Sequence, residues 1–192
     1  MKGGSKVLLR AIKLGDDPLM HELFHSFSKE TIYHRFFALI ADMSLEQLRH
    51  YVNVDYEQRM AIVGVIKVEE REKIIAVARY DLDRPTNMAE VAVVVEDKWQ
   101  NKGLGSFLLK YLAKIASSRG ISGFTAEVMP DNFRMLHLLN KASGKIEKTF
   151  TEGTIRVVLK FTNENCKYSL CFAYFLQFFV GSSHFFNRCF VF

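Results

Sequence analysis

The segment Ala89-Glu90-Val91-Ala92-Val93-Val94-Val95-Glu96-Asp97-Lys98-Trp99-Gln100-Asn101-Lys102-Gly103-Leu104-Gly105 constrains this chain more than any other. Val91 to Val95 are apolar without a break, the pattern of a central strand covered on both faces. After Gly103, apolar residues recur at helical spacing (Leu104, Phe107, Leu108, Tyr111, Leu112, Ile115), and Gly120 suits a C-terminal stop. The segment therefore predicts a strand, a tight turn and a helix from about Leu104 to Ser118. Successive amides at the start of such a helix lack intrahelical partners and sit at the positive end of its dipole, so the turn is an expected anion site. Gly103 and Gly105 admit angles and close approaches that a Cβ would obstruct. The spacing Gln100-x-x-Gly103-x-Gly105 is neither the Walker loop, Gly-x4-Gly-Lys-Ser/Thr, nor the dinucleotide fingerprint, Gly-x-Gly-x-x-Gly.

The rest of the chain supplies a mixed set of elements. Lys6 to Lys13 reads as a strand, and Asp16, Asp17 and Pro18 start a helix whose apolar face is Leu19, Met20, Leu23, Phe24 and Phe27. Ser28 to Thr31 begins a second helix carrying Ile32, Tyr33, Phe36 and Phe37. Ser44-Leu45-Glu46-Gln47 is a capping box before a third helix that ends near Val52. Arg59–Val68 and Lys73–Leu82 alternate as a hairpin around Glu69-Glu70-Arg71-Glu72, and Asp83–Asn87 is a loop. Ser122–Met129 is a strand, Pro130-Asp131-Asn132 opens a helix, and Lys145–Phe150 with Thr154–Phe161 forms a last hairpin around Glu152-Gly153. The expected order is β-α-α-α-β-β-β-α-β-α-β-β: an α/β fold with a mixed central sheet flanked by helices.

With 192 residues the chain is long enough for one domain with a full core. Its net charge of +5 permits a phosphate-rich ligand but is not clustered as a nucleic-acid footprint would be. Met1-Lys2-Gly3-Gly4-Ser5 leads straight into a strand without a signal-peptide pattern, so a cytoplasmic location is expected. Cys166, Cys171 and Cys189 all lie near the end, without metal-site spacing, so neither a metal nor a disulfide framework is expected in the body.

Gln100-x-x-Gly103-x-Gly105 resembles the acetyl-CoA signature of the GNAT N-acetyltransferase superfamily, and the element order from about residue 6 to 161 resembles its fold. Asn132-Phe133-Arg134-Met135-Leu136-His137-Leu138-Leu139-Asn140-Lys141 looks like the family's helix after the fifth strand. Ser28-Lys29-Glu30-Thr31-Ile32-Tyr33-His34-Arg35-Phe36-Phe37 is similar to a subgroup. That subgroup is the GNAT domain attached to, or cooperating with, ADP-forming-type acyl-CoA synthetase modules in prokaryotic protein lysine acetyltransferases. The resemblance implies acetyl transfer from acetyl-CoA to a primary amine by direct attack, with a protein lysine as acceptor and an acyl-CoA synthetase as a candidate target. It implies no metal and no acyl-enzyme, and the cysteine-free body agrees. Two other readings stay open: a non-catalytic module that senses acyl-CoA, and a small-molecule amine acetyltransferase.

Glu90 is the expected general base. It heads an otherwise apolar strand and shares a face with Ala92 and Val94, and a carboxylate there is costly to desolvate unless something uses or pairs it. A lysine amine has a pKa of about 10.4, so holding it neutral at pH 7 costs roughly 4 to 5 kcal/mol, and a carboxylate, directly or through water, can take its proton. The resemblance places a catalytic Glu here too. The plainer alternative is a surface Glu or one paired with Arg79. Glu96, beside the turn, reads as structural or solvent-facing, and Asp97 as shaping the turn.

The resemblance implies that the main chain of Val93, Val94 and Val95 holds the pantetheine arm. It implies that Gln100, Asn101, Lys102, Gly103, Leu104, Gly105 and Ser106 cradle the pyrophosphate. Asn132 either bonds the pantetheine or is a plain N-cap. Many family members carry a Tyr further along that helix as the acid for the leaving thiolate. Leu138 or Leu139 stands at that position here, which leaves Tyr111 or Tyr33 as substitutes. Tyr33, Arg35 and Phe36 either line the acceptor cleft or belong to the core. His21, His25, His34 and His50 read as surface residues rather than ligands.

The resemblance stops before a change of composition. An expected acetyltransferase domain, 1–162, is followed by an apolar, Phe- and Cys-rich tail, 163–192, whose run Tyr168–Val180 is short for a membrane span and lacks amphipathic period. A packed extra element, a membrane or partner contact, and a non-homologous end without function all fit it, and the last is favoured because the resemblance has already ended. Acetyl-CoA and a protein substrate are the expected partners. Nucleic acid is not, nor is a membrane unless the tail provides it, and oligomeric state is unread.

Overall fold

The computed structural model describes residues 6–142 and 144–162, together with the main chain of 190–191. The tail, apart from those two residues, lies outside the described residues. The elements are β1 (Leu8–Ala11), α1 (Asp17–His25), α2 (Lys29–Phe36), α3 (Leu45–Val52), β2 (Arg59–Val68), β3 (Arg71–Asp83), β4 (Met88–Val95), α4 (Leu104–Ser118), β5 (Gly123–Val128), α5 (Phe133–Asn140), β6 (Lys145–Thr151), β7 (Thr154–Lys160) and β8 (Phe190–Val191). They form one sheet in the order β6-β7-β5-β4-β3-β2-β1-β8. Every pairing is antiparallel except β4 with β5, which is parallel because α4 carries the chain from one to the other as a crossover.

Helices cover both faces of the sheet. On one, α4 buries Leu104, Leu108, Leu109, Leu112 and Ile115 against Tyr80, Ala89, Val91 and Phe124. On the other, Leu23 of α1 and Val52 of α3 pack on Ile12, Val63, Ile74 and Val77. A smaller cluster of Phe24, Met43 and Leu48, joined by Phe36, ties α1, α2 and α3 together. Phe36 therefore packs against the core, partly buried.

The predicted element order holds over the described residues, with the two-residue β8 added at the β1 edge. The Ser44–Gln47 capping box is present with both of its hydrogen bonds. Asp16 occupies the N-cap of α1 but does not cap it with its side chain. Its buried carboxylate instead accepts from Arg10 at 2.6 and 2.9 Å and from the Lys13 amide at 2.9 Å, fastening β1 to the start of α1. The β2–β3 hairpin turns tighter than its charged run suggests: Val68 pairs with Arg71, leaving only Glu69 and Glu70, at φ 48° and 65°. Two successive positive φ angles suit the twist of a two-residue hairpin, so the strands extend to the turn itself.

Candidate active site

β4 and β5 part company. They pair over Met88, Ala89 and Glu90 only, opposite Gly123, Phe124 and Thr125, while β4 continues to Val95 and β5 to Val128. Each strand keeps its outer neighbour, β3 or β7, over its full length. The sheet thus opens into a V with Glu90 at the apex, and β4 runs on for about 16 Å beyond it. The amide of Glu96 bonds the Ile75 carbonyl at 2.8 Å, which fixes the ladder's phase. By alternation the main chain of Ala92 and Val94 turns to β3, and that of Val93 and Val95 turns into the V. A cavity of about 750 Å³ occupies the V, walled by β4, the turn after it, α5 and α2.

At its far end lies the glycine turn. Gly103, at φ 88°, is the N-cap of α4 and offers no side-chain cap, so the first amides of the helix have no partner from that residue. Asn101 also has a positive φ, 58°. Asn101, Lys102, Gly103, Gly105 and Ser106 line the cavity, whereas the Leu104 side chain is buried in the core. Gly105 packs closely: an added Cβ would lie 2.9 Å from Leu138 Cδ1, so that side chain would have to shift, with Val95 and Val93 next nearest. The Lys102 ammonium sits 4.8 Å over the Trp99 ring, poised beside the helix start.

The turn is held in place by α2. Asp97 accepts from the Ser28 amide at 3.0 Å, from Ser28 Oγ at 2.8 Å and from Thr31 Oγ1 at 2.9 Å. Burial pushes the Asp97 carboxyl up, but the Ser28 and Thr31 donors outweigh it and hold the group below its ordinary range. Gln100 lines the cavity, and its Nε2 donates to Val95 O at 3.1 Å and to Thr31 Oγ1 at 3.3 Å, so its side chain also closes the end of β4. Glu96 is not solvent-facing: it is buried, bonded by Lys73 at 2.9 Å, with Oε2 left without a partner.

Glu90 is exposed to the cavity, so the desolvation cost expected of a central-strand carboxylate does not arise. Nor does Arg79 pair with it. The Arg79 guanidinium lies over the Tyr51 ring at 5.0 Å and 3.4 Å from Asp81, the residue directly opposite Glu90 on β3. Glu90 makes no ion pair or hydrogen bond among the described residues, and its like-charged neighbour is engaged elsewhere. Half-buried Arg35 stands near: burial lowers its pKa and the charge of Arg79 adds to this, while Glu90 and Asp81 act in the opposite sense. On the other arm of the V, Glu127 is committed to Thr154 at 2.9 Å and Arg156 at 3.8 Å.

α5 contributes Asn132, Met135, His137 and Leu138 to the cavity. Asn132 caps the helix, its Oδ1 accepting from the Met135 amide at 3.0 Å, and it faces the cavity as well. Leu138 points into the site where the sequence comparison looks for an acid, and Leu139 is core. Neither Tyr111 nor Tyr33 lines the cavity. His34 does, 3.2 Å from Asp131, joining α2 to the loop before α5.

A family model described as the acetyltransferase (GNAT) family matches residues 19–144, which covers the whole V and its turn. The chain belongs to the GNAT acetyltransferase family. It is 34% identical over 116 residues to acetyltransferase Pat of Mycolicibacterium smegmatis, a match taking in 60% of this chain and 34% of that one. It is 26% identical over 117 residues to an acetyltransferase of Pseudomonas aeruginosa, covering 61% and 63% of the two chains. Among solved structures, the GNAT domain of S. lividans PAT superposes with a TM-score of 0.71 at 28% identity, over 80% of this chain and 89% of that one. The chain thus spans less than two thirds of the length of these curated relatives. No helix among the described residues is long and apolar enough to cross a membrane.

Several parts of this GNAT site lie in the segments that carry the resemblance but have no role that the sequence assigns to them. Thr31, His34, Phe37 and Phe133 come to the cavity through the docking of α2 and the entry into α5. Phe37 ends α2 at φ 56°, a strained angle for an aromatic residue, and is the one local hint that this position has a special task.

Proposed function

We propose that this protein moves the acetyl group of acetyl-CoA to a primary amine, with a protein lysine as acceptor and Glu90 as general base. The observation that carries the reading is the placement of an unpaired carboxylate at the apex of a V whose other end is an uncapped helix N-terminus. Phosphates of the donor fit against the amides of Gly103 to Ser106 and the charge of Lys102, which suits the open donors and the dipole there. The pantetheine lies along β4, bonded by the main chain of Val93 and Val95, which brings the thioester toward Glu90.

The chemistry is a direct displacement. Glu90, directly or through one water, takes a proton from the acceptor ammonium, and the neutral nitrogen attacks the thioester carbonyl carbon. An amide N–H of β4 steadies the oxyanion as the tetrahedral intermediate forms. The tetrahedral intermediate gives up its second nitrogen proton to solvent and collapses with cleavage of the carbon–sulfur bond, leaving the neutral N-acetyl product and CoA thiolate. Leu138 offers that thiolate no proton, so it leaves as such and is protonated from solvent.

Residues 1–162 form the catalytic unit in this reading, acting in the cytoplasm, and an acyl-CoA synthetase is the first acceptor to try. The test is CoA thiol release with a panel of proteins and small amines, with mass spectrometry of each protein. Glu90→Gln is expected to lower turnover by about 10²- to 10⁴-fold while leaving the Kd for acetyl-CoA unchanged. Unchanged turnover would remove Glu90 from the mechanism, and tight donor binding without any acetylated acceptor would favour a sensing module.

A further inference from the structure

Away from the cavity, two histidines and an aspartate converge on the outer surface of α1. His21 and His25 are one helical turn apart, so both rings project from the same side, and their Nε2 atoms lie 3.1 Å from each other. Asp42, in the connection between α2 and α3, brings Oδ1 to 3.1 Å from His25 Nε2 and 3.4 Å from His21 Nε2. The three side chains are 34, 49 and 64% exposed, so a solvated ion reaches them freely. Among the described residues the Met43 amide bonds Asp42 Oδ1 at 2.7 Å and aims the carboxylate, and the Phe24 ring meets His25 edge-on with centroids 5.7 Å apart.

The triangle has a size that means something. Ligands about 2.05 Å from a tetrahedral zinc ion stand about 3.3 Å apart, and the edges here are 3.1, 3.1 and 3.4 Å. A point about 2.05 Å from all three atoms exists, about 0.9 Å off their plane, against about 0.7 Å in a regular tetrahedron. Two imidazoles and one carboxylate select a borderline divalent ion over calcium or magnesium, which take oxygen ligands. From the convergence of His21, His25 and Asp42 we infer a surface site for a zinc-like divalent cation, with water completing its shell. The site is separate from the acetyl-transfer chemistry, which needs no metal. Its effect is on the fold: it clamps the end of α1 to Asp42, and the segment between them contains α2, the wall that carries Thr31, His34 and Arg35.

The test uses untagged full-length protein stripped of metal with a chelator. Equilibrium dialysis with Zn(II) is expected to show one ion per chain bound at micromolar concentration, with a rise in Tm, and Mg(II) is expected to do neither. Co(II) should give the intense visible absorption of a low-coordinate nitrogen and oxygen site. His21→Ala and His25→Ala should each weaken Zn(II) at least tenfold, and Asp42→Asn should weaken it less. None of the three residues is buried, and circular dichroism of each variant checks its fold. Saturable binding only at millimolar Zn(II), or affinity unchanged from the parent in both histidine variants, would overturn the assignment and leave the pair as a hydrogen bond between two imidazoles.

Discussion

Replacing Asp97 with Ala isolates the link between α2 and the donor turn. The substitution removes the acceptor of three hydrogen bonds: from the Ser28 amide at 3.0 Å, Ser28 Oγ at 2.8 Å and Thr31 Oγ1 at 2.9 Å. A bond to a charged acceptor contributes about 1.5 to 3 kcal/mol, but Asp97 is only partly buried and water can satisfy the hydroxyls, so roughly 2 kcal/mol is expected for the set. For a domain of this size that lowers Tm by about 4 to 8 °C. Donor affinity should suffer too, because Thr31 also receives Gln100, the residue that closes the end of β4. A loss near tenfold in acetyl-CoA Kd corresponds to about 1.4 kcal/mol. The pH dependence supplies an independent check. The folded-state pKa of Asp97 is lowered, so its contribution is complete above the unfolded value of about 3.9 and is lost as pH falls through the folded value. Acid unfolding of Asp97→Ala should therefore be less steep below about pH 4 than that of the parent. Thermal melts and calorimetric titration with acetyl-CoA, repeated for Thr31→Val and the double variant, measure the coupling, expected at about 0.5 to 1 kcal/mol. Additive effects, or an unchanged Tm and Kd in Asp97→Ala, would refute the view that α2 holds the turn.

Gly105→Ala would press its Cβ against Leu138 Cδ1, the flexible end of a side chain, so stability should fall by only about 1 kcal/mol. The displaced Leu138 would narrow the cavity and weaken acetyl-CoA, and Leu138→Ala added to Gly105→Ala should restore affinity measured by titration. Removal of residues 163–192 takes away, among the described residues, only the pairing of Phe190 and Val191 with β1. Acetyl-CoA binding by the shortened chain should match the parent, and a failure to fold would show the tail to be part of the domain.

The elements whose shape depends on neighbours in sequence were legible. The bounds of α4 follow from apolar spacing between two glycines, and the Ser44–Gln47 box from residue types three apart. Asp16 misled because a half-buried arginine, Arg10, outcompetes the helix amides for its carboxylate. The site was legible as a list of residues along β4 and the turn, but its geometry was not. Nothing local states that β5 leaves β4 after Thr125, or that Asp97 meets residues of α2 nearly seventy positions earlier. Glu90 shows both sides of this: its strand position singles it out, and only the divergence of the strands explains how a carboxylate there stays wet.

That divergence places a sheet edge in the middle of a sheet. Edges at the margin of a fold invite other polypeptide strands, and proteins protect them with charge or cover. Here the cover is geometric: α5 and α2 stand on either side of the gap. A slender amide-bearing thread, with no side chains to set against α5 and α2, suits the gap along Val93 and Val95 better than a polypeptide strand does. Those two amides, with no strand opposite them, should exchange with deuterium quickly in the free protein and slowly once the gap is filled, so hydrogen exchange at two residues reads occupancy directly.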